Sequence, residues 1–342
     1  MRHSVKYAVA AALSVAAGCA QMGTVMKAAV AAAASAGSTP PAGTVHEDIF
    51  LAPALGVRKH LVVYLPPSYG RDTSRRYPVA YYLHGLSGTE TDWLSKGSLD
   101  AVADSLFAHG TPETIIVLPD GDDGWYTTWV DQVSARACAD ALKTESPDRY
   151  CVARERYDEY VARDVVRHVD STYRTRADRD NRGIGGLSMG GYGALAIALR
   201  YPDVFGAAAS HSGVLSPMYV GPKPFAEPAK YASNVEEIRP AAGIYYARYL
   251  HFWGTDIDRW RANDPALLAA AVRRRGQRMP SIFIDCGRDD GFIEQNRAVH
   301  SELVKLGVQH EYNEWPGAHT WIYWHSHVSQ SLAWMARKLS SS

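Results

Sequence analysis

The chain has 342 residues, 46% of them hydrophobic and 21% charged, with 36 lysines and arginines against 36 aspartates and glutamates. That balance belongs to a folded chain with enough apolar material for a large core and excludes a mainly disordered one. Met1 to Gly37 carries Arg2, Lys6 and Lys27 and no acid, so the remainder holds 33 basic against 36 acidic residues, which argues against nucleic acid as a partner.

The first residues pair a basic start (Arg2, His3, Lys6) with an apolar run from Tyr7 to Gly18. That run has the length of a signal-peptide core and is short for a bilayer-spanning helix. Export is therefore expected, into the periplasm or medium or as a membrane-anchored lipoprotein. Val15-Ala16-Ala17-Gly18-Cys19 resembles a bacterial lipobox with Ala16 where leucine is usual, which would leave Cys19 carrying lipid. Cleavage after a small-residue stretch such as Ala32-Ala33-Ala34-Ser35-Ala36 is the other route, and both stay open. Residues 37–43, Gly-Ser-Thr-Pro-Pro-Ala-Gly, propagate neither helix nor strand, so leader and linker are assigned to 1–43 and one catalytic domain to 44–342.

From there short apolar, β-branched runs alternate with helical patterns. Strands are expected at Lys59–Leu65, Val79–Leu83, Thr114–Leu118, Arg182–Gly186, Gly206–Ser210, Ser281–Asp285 and His310–Glu314. Helices are expected at Leu99–Ala108, Arg154–Tyr173, Gly191–Tyr201, Pro265–Arg275, Ile293–Leu306 and Ser326–Leu339. This alternation predicts an α/β fold with a mostly parallel central sheet, helices on both faces and antiparallel strands at the start. Such sheets bind ligands at the carboxyl ends of their strands. Residues 213–260, rich in Pro, Tyr and Trp and without clear periodicity, read as a loop-rich insertion over that end.

Besides Cys19 there are three cysteines; in an oxidising compartment Cys138 and Cys151 would close a short loop and leave Cys286 unpaired. No Cys-x-x-Cys or His-x-x-x-His occurs, so no metal is expected. Asp120-Gly121-Asp122-Asp123-Gly124 does not fit a calcium-binding helix-loop-helix, because the pattern breaks at Gly124-Trp125. It reads instead as a strand-end loop, with Trp125, Tyr126 and Trp129 facing the cleft.

The chemistry concentrates in Gly186-Leu187-Ser188-Met189-Gly190, which follows a short strand directly and opens an Ala/Leu-rich helix. A serine on so sharp a strand-to-helix turn takes strained backbone angles, and small neighbours are needed because side chains there would collide. Ser87 and Ser212 have glycine neighbours too, but no helix-opening glycine pair. Serine needs a base to become a nucleophile, and in this strand-turn-helix arrangement the order is Ser, then acid, then His. The strand Ile282-Phe283-Ile284-Asp285 runs into a turn holding Asp289 and Asp290, between which position alone does not choose. His319 lies in a loop between the last strand and the last helix, whereas His300, His310, His325 and His327 fall inside helix or strand patterns. An oxyanion hole needs two backbone N–H donors; Met189, next after the nucleophile, supplies one, and Leu86 in the Leu83-His84-Gly85-Leu86-Ser87-Gly88 loop supplies the other.

These residues, from about Lys59 to Trp334, resemble the esterase D family of α/β-hydrolases, which includes S-formylglutathione hydrolases, feruloyl and acetyl-xylan esterases and mycolyltransferases. The most specific pieces are the His84-Gly85 loop with Trp93, Trp125-Tyr126-Thr127, Tyr173-Arg174-Thr175, Gly186 to Ala194, and Gly317-Ala318-His319-Thr320-Trp321 with Trp324. The resemblance implies the α/β-hydrolase fold and selects Asp290 as the acid, third after Gly287 and two before Phe292. It implies Leu86 and Met189 as oxyanion donors, and Trp93, Trp125 and Tyr126 at the substrate. Ala318 and Thr320 depart from residues frequent in the family and leave the triad Ser188, Asp290, His319 intact. The expected activity is ester hydrolysis through an acyl-enzyme on small acyl, acetyl or feruloyl esters, without a cofactor. Acyl transfer to a sugar or lipid hydroxyl is the alternative, and a non-catalytic binding protein would have to lack a triad member.

Overall fold

The computed structural model describes residues 41–131 and 151–340. The leader with Cys19 lies outside the described residues, as does Cys138. Cys151 is disulfide-bonded, and Cys286 is free and buried.

Eight strands form one sheet: β1 (Thr44–Ala52), β2 (Val57–Leu65), β3 (Val79–Leu83), β4 (Ile115–Pro119), β5 (Arg182–Leu187), β6 (Ala207–His211), β7 (Ser281–Gly287) and β8 (His310–Trp315). Their spatial order is β1-β2-β4-β3-β5-β6-β7-β8. The β1/β2 and β2/β4 pairs are antiparallel; every pair from β4 through β3 to β8 is parallel. The architecture is that of an α/β-hydrolase. Every residue of β3, β4, β5 and β6 is buried, which is why these strands read as continuous apolar or small-residue runs. In β1 only Phe50 and Ala52 are buried, so the polar edge strand carries too little hydrophobic text to be recognised by pattern.

The side chains of β3 alternate between two cores. Val79, Tyr81 and Leu83 join the larger one, whereas Ala80 and Tyr82 join the other with Leu99, Ala103, Val328 and Leu332. The helices that cover the second face are α1 (Leu99–Ala108) and the C-terminal α9 (Trp321–Ser340). The larger core lies under α2 (Val166–Thr172), α3 (Met189–Arg200), α7 (Pro265–Arg274) and α8 (Ile293–Lys305). The helix expected at Arg154–Tyr173 is interrupted: a turn at Tyr157–Glu159 passes into a π-helical stretch, Tyr160–Val165, before α2.

The insertion differs from the expectation of loop. It carries α4 (Val235–Ala242), α5 (Tyr246–Trp253) and α6 (Ile257–Arg261). Asn234 caps α4 by accepting from the N–H groups of Glu236 and Glu237, and Asp256 caps α6 through Asp258 N–H. The buried Tyr246, Tyr249, Phe252 and Trp253 lie along one face of α5, and Gly243 and Gly254, both at positive φ, close α4 and α5. The helices are so short that their caps and aromatic spacing carry the signal and length carries none.

Candidate active site

Ser188 sits between β5 and α3 at φ 53 and ψ −117, a backbone conformation that costs free energy outside glycine. The surroundings impose it. A Cβ on Gly186 would lie 2.4 Å from Gly190 O, and one on Gly190 would lie 2.4 Å from Leu83 O and 2.5 Å from His84 O. Ser188 N–H donates to His211 O at 3.0 Å, and Val214 N–H and Tyr192 N–H donate to Ser188 O at 3.3 and 3.0 Å. The backbone of Ser188 is thus fixed by β6 on one side and by its own helix on the other.

Ser188 Oγ is 2.8 Å from His319 Nε2, and His319 Nδ1 is 2.8 Å from Asp290 Oδ2. The ionised carboxylate only accepts, so the Nδ1 proton faces Asp290 and Nε2 is left as the acceptor toward Ser188. Asp290 is 3% exposed and its other oxygen accepts from Phe292 N–H at 2.9 Å, whereas Asp289 is exposed. Burial and the hydrogen bond to His319 therefore single out Asp290 of the two. The rings of Phe292 and Trp324 meet the imidazole edge to face, at centroid distances of 5.1 and 4.9 Å, and limit its rotation. His300 and His310 lie apart from this group, hydrogen-bonded to each other at 2.7 Å.

The loop after β3 lies directly against Ser188, since a Cβ on Gly85 would meet Leu187 Cδ1 at 2.7 Å and Ser188 Cβ at 3.5 Å. His84, to which the sequence analysis gave no role, orders this loop. Its Nε2 accepts from Gly121 N–H at 2.9 Å, so Nδ1 carries the proton and donates to Gly85 O at 2.8 Å. Gly88 N–H holds the same oxygen at 3.1 Å. In a trans peptide the carbonyl and the following N–H point in opposite directions, so fixing Gly85 O on one side turns Leu86 N–H to the other. Met189, the first residue of α3, carries one of the N–H groups that a helix start leaves without an intrahelical partner.

The loop is braced from behind by the acidic turn. Ser87 N–H donates to Asp123 Oδ1 at 2.6 Å. The ammonium of Lys59, fully buried, lies 2.7 Å from both Asp120 and Asp122 and neutralises the carboxylates there. Burial pushes Asp122 up to about 7 despite this pairing, while Asp120 is lowered: burial opposes that too, but the Lys59 charge outweighs it. Among the described residues no cluster of three or more His, Cys, Asp or Glu is placed to hold a metal.

Three residues expected at the substrate are buried instead. Trp93 is 1% exposed, donates from Nε1 to Leu83 O at 3.0 Å and stacks edge to face on Tyr82 and Trp321. Trp125 and Tyr126 are 2% and 0% exposed. Tyr126 OH donates to His84 O at 3.2 Å, and Trp125 packs among Tyr192, Tyr249 and Phe252. The large apolar rings gain more from the core than from a solvent-facing cleft, so they support the loops carrying the site. Trp129, half-buried, donates to Gly124 O and belongs to the same aromatic group.

With the geometry in place, the kinship is clear: a model of the "Putative esterase" family matches residues 52–335. The chain belongs to that family. An acetyl esterase of Caldicellulosiruptor saccharolyticus is 26% identical over 268 residues, covering 77% of this chain and 85% of that protein. The chain spans 54% of the length of two further matched esterases, from Mycobacterium tuberculosis. Among solved structures, a ferulic acid esterase superimposes with a TM-score of 0.58 at 26% identity, covering 87% of this chain and 99% of that one. An S-formylglutathione hydrolase from Agrobacterium tumefaciens shares the fold, with a TM-score of 0.62 at 21% identity over 88% and 98% of the two chains. This esterase is thus an α/β-hydrolase of the esterase D type, as its motifs implied.

Proposed function

We propose that this esterase is an exported serine carboxylic-ester hydrolase, with Ser188 as nucleophile, His319 as base and Asp290 as the acid that orients it, acting on small acyl, acetyl or feruloyl esters. The observation that carries the reading is the unbroken chain from Ser188 Oγ to His319 Nε2 and from His319 Nδ1 to Asp290, each link 2.8 Å. Ser188 Oγ attacks the ester carbonyl while its proton passes to Nε2, and the imidazolium is stabilised by Asp290. The N–H groups of Leu86 and Met189 receive the charge that develops on the carbonyl oxygen. Loss of one such donor costs about 3 kcal/mol of transition-state stabilisation in comparable sites. The Nε2 proton then goes to the departing alkoxide, and water repeats the sequence on the acyl-enzyme. No step needs a cofactor.

Export rests on the basic-apolar start of the chain, and the disulfide at Cys151 suits an oxidising compartment. Whether Cys19 carries an anchor belongs to the same proposal, tested by Cys19→Ala and fractionation. Among the described residues no helix is long and apolar enough to cross a membrane.

The test is hydrolysis of p-nitrophenyl esters of increasing acyl length and of methyl ferulate by wild type, Ser188→Ala and Asp290→Asn. Turnover by wild type that Ser188→Ala abolishes supports the reading, and the preferred ester ranks the substrates. An inert wild type, or a Ser188→Ala variant with undiminished turnover, overturns it.

A further inference from the structure

Beneath the catalytic groups lies a second aspartate and histidine, which the mechanism above does not use. His211 is the last residue of β6 and Asp285 is its register partner on β7. Both side chains are 0% exposed, and His211 Nδ1 lies 2.6 Å from Asp285 Oδ2, in contact though off the line of a well-directed hydrogen bond. The far side of the imidazole, Nε2, is 2.7 Å from Ser331 Oγ on α9, which in turn is 2.9 Å from the hydroxyl of Tyr82 on β3. Asp285 Oδ1 accepts from Tyr323 OH at 2.9 Å. Five buried polar side chains from four elements are joined in one network: Tyr82, His211, Asp285, Tyr323 and Ser331.

Each of four members sits at the root of one part of the site. Tyr82 leads through Leu83 into the His84-Gly85-Leu86 loop. His211 pairs with Leu187, and its carbonyl receives Ser188 N–H at 3.0 Å. Asp285 stands on the strand that delivers Asp290, and its carbonyl receives Ser212 N–H at 2.7 Å. Tyr323 follows His319 in the first turn of α9, and its ring fills the space beside Gly317, where a Cβ would lie 2.7 Å from Tyr323 Cδ2. A buried polar pair is weak evidence for stability, since well-packed apolar residues of similar volume often serve as well. What a polar network adds is direction: each hydrogen bond fixes the angle at which its element meets the others.

Resting on the assignment of Ser188, His319 and Asp290 above, we propose that the buried Asp285–His211 pair, with Tyr82, Tyr323 and Ser331, is a positioning device. It sets the spacing of nucleophile, acid, base and oxyanion loop for the transition state. None of the five touches substrate. They act through the backbones that carry the reacting groups, so their loss shows in kcat before KM.

The experiment compares kcat and KM for p-nitrophenyl acetate, together with Tm, in wild type, Tyr323→Phe, His211→Gln, Asp285→Asn and Ser188→Ala. Tyr323→Phe removes one hydroxyl and keeps the ring beside Gly317, so it folds where Asp285→Asn does not, and it decides the matter alone in that event. The expected result is a fall in kcat of about tenfold for Tyr323→Phe and about 10²-fold for His211→Gln, with KM within about twofold of wild type. A kcat within about twofold of wild type in both Tyr323→Phe and His211→Gln, with only Tm lowered, overturns the proposal. Undiminished turnover by Ser188→Ala is a separate outcome, which removes the serine mechanism and this proposal with it.

Discussion

The Ser188 turn and the insertion at residues 213–260 are built by different means. From Arg182 to Leu199 every residue is buried, and at Gly186 and Gly190 backbone lies so close to backbone that a Cβ would strike a carbonyl. The insertion is held by side chains. Trp125, Tyr249, Phe252, Trp253 and Trp260 pack at centroid distances of 4.9 to 6.3 Å, and the turn between α4 and α5 presents Ile244, 90% exposed, to solvent. Backbone-against-backbone packing tolerates almost no substitution and fixes one chemistry. Side-chain packing on short helices can be rebuilt without touching the reacting atoms, which is how one fold serves many substrates. The insertion meets the Ser188 region where Val214 N–H donates to Ser188 O and where Trp253 packs on Tyr192, and it reaches the turn behind the Leu86 loop through the Asp123–Arg248 ion pair.

Substitutions at Ser188, at Asp290, which it reaches through His319, and in the turn itself should have the largest effects. Ser188→Ala is expected to lower kcat by about 10⁴- to 10⁶-fold, and Asp290→Asn by about 10⁴-fold, with Tm unchanged in both, read from initial rates and thermal melts. Gly190→Ala tests the backbone argument. Its new methyl meets two carbonyl oxygens that belong to β3 and the oxyanion loop and have no rotamer with which to yield. A loss of about 3 kcal/mol in urea unfolding is expected, with activity reduced in whatever folds. A Gly190→Ala protein with wild-type stability and kcat would mean that the turn is as adaptable as the insertion.

The same contrast governs how much of the molecule was legible beforehand. The buried parallel strands and the pentapeptide around Ser188 are readable because each is dictated by residues adjacent in sequence. His319 was separated from other histidines by its loop position, and Asp290 from Asp289 only by family resemblance, because burial of one and exposure of the other is a property of the folded turn. The insertion escaped because its helices are five to eight residues long, below the length at which periodicity stands out, although Asn234 with Glu237 and the spacing of Tyr246, Tyr249 and Phe252 mark them. Trp93, Trp125 and Tyr126 were misplaced because an aromatic residue near a catalytic loop has the same sequence signature whether it faces the cleft or supports it from below. The roles of His84 and His211 depend on partners far away in the chain, Gly121 and Asp285, and no local pattern contains that information.

An intermediate effect is expected at the insertion's base. Asp264 caps α7 through Ala266 N–H at 3.0 Å and accepts from Ser216 Oγ at 2.6 Å. Burial raises its carboxyl from 3.8 to about 6, against the lowering pull of those hydrogen bonds. Between those two values the folded state keeps a proton that the unfolded chain has released, so stability falls as pH rises through the window and stays lower above it. The shift corresponds to a cost on the order of 2–3 kcal/mol at neutral pH. Asp264→Asn retains the cap and removes the charge. The variant should match wild type near pH 4 and gain on it up to about pH 6, by Tm measured against pH. A difference constant across that range would place the ionisation of Asp264 outside it.

The smallest effect should come from Arg248, where the insertion reaches the acidic turn behind the Leu86 loop. Its guanidinium lies 3.0 Å from Asp123 Oδ2 and is 41% exposed, so the pair itself contributes under about 1 kcal/mol to stability. Asp123, however, spends its other oxygen on Ser87 N–H, one residue beyond the expected oxyanion donor Leu86. Arg248→Ala frees that carboxylate to swing and loosens the loop without altering the triad. The expected outcome is an unchanged Tm and a fall in kcat of about threefold for p-nitrophenyl acetate, narrowing as added salt screens the pair in wild type. A short acetyl ester makes little use of the insertion as a binding wall, so a loss seen with it has to travel through Asp123. If Arg248→Ala instead raises KM for methyl ferulate alone and leaves acetate turnover intact, the insertion contacts substrate but does not tune the Leu86 loop through Asp123.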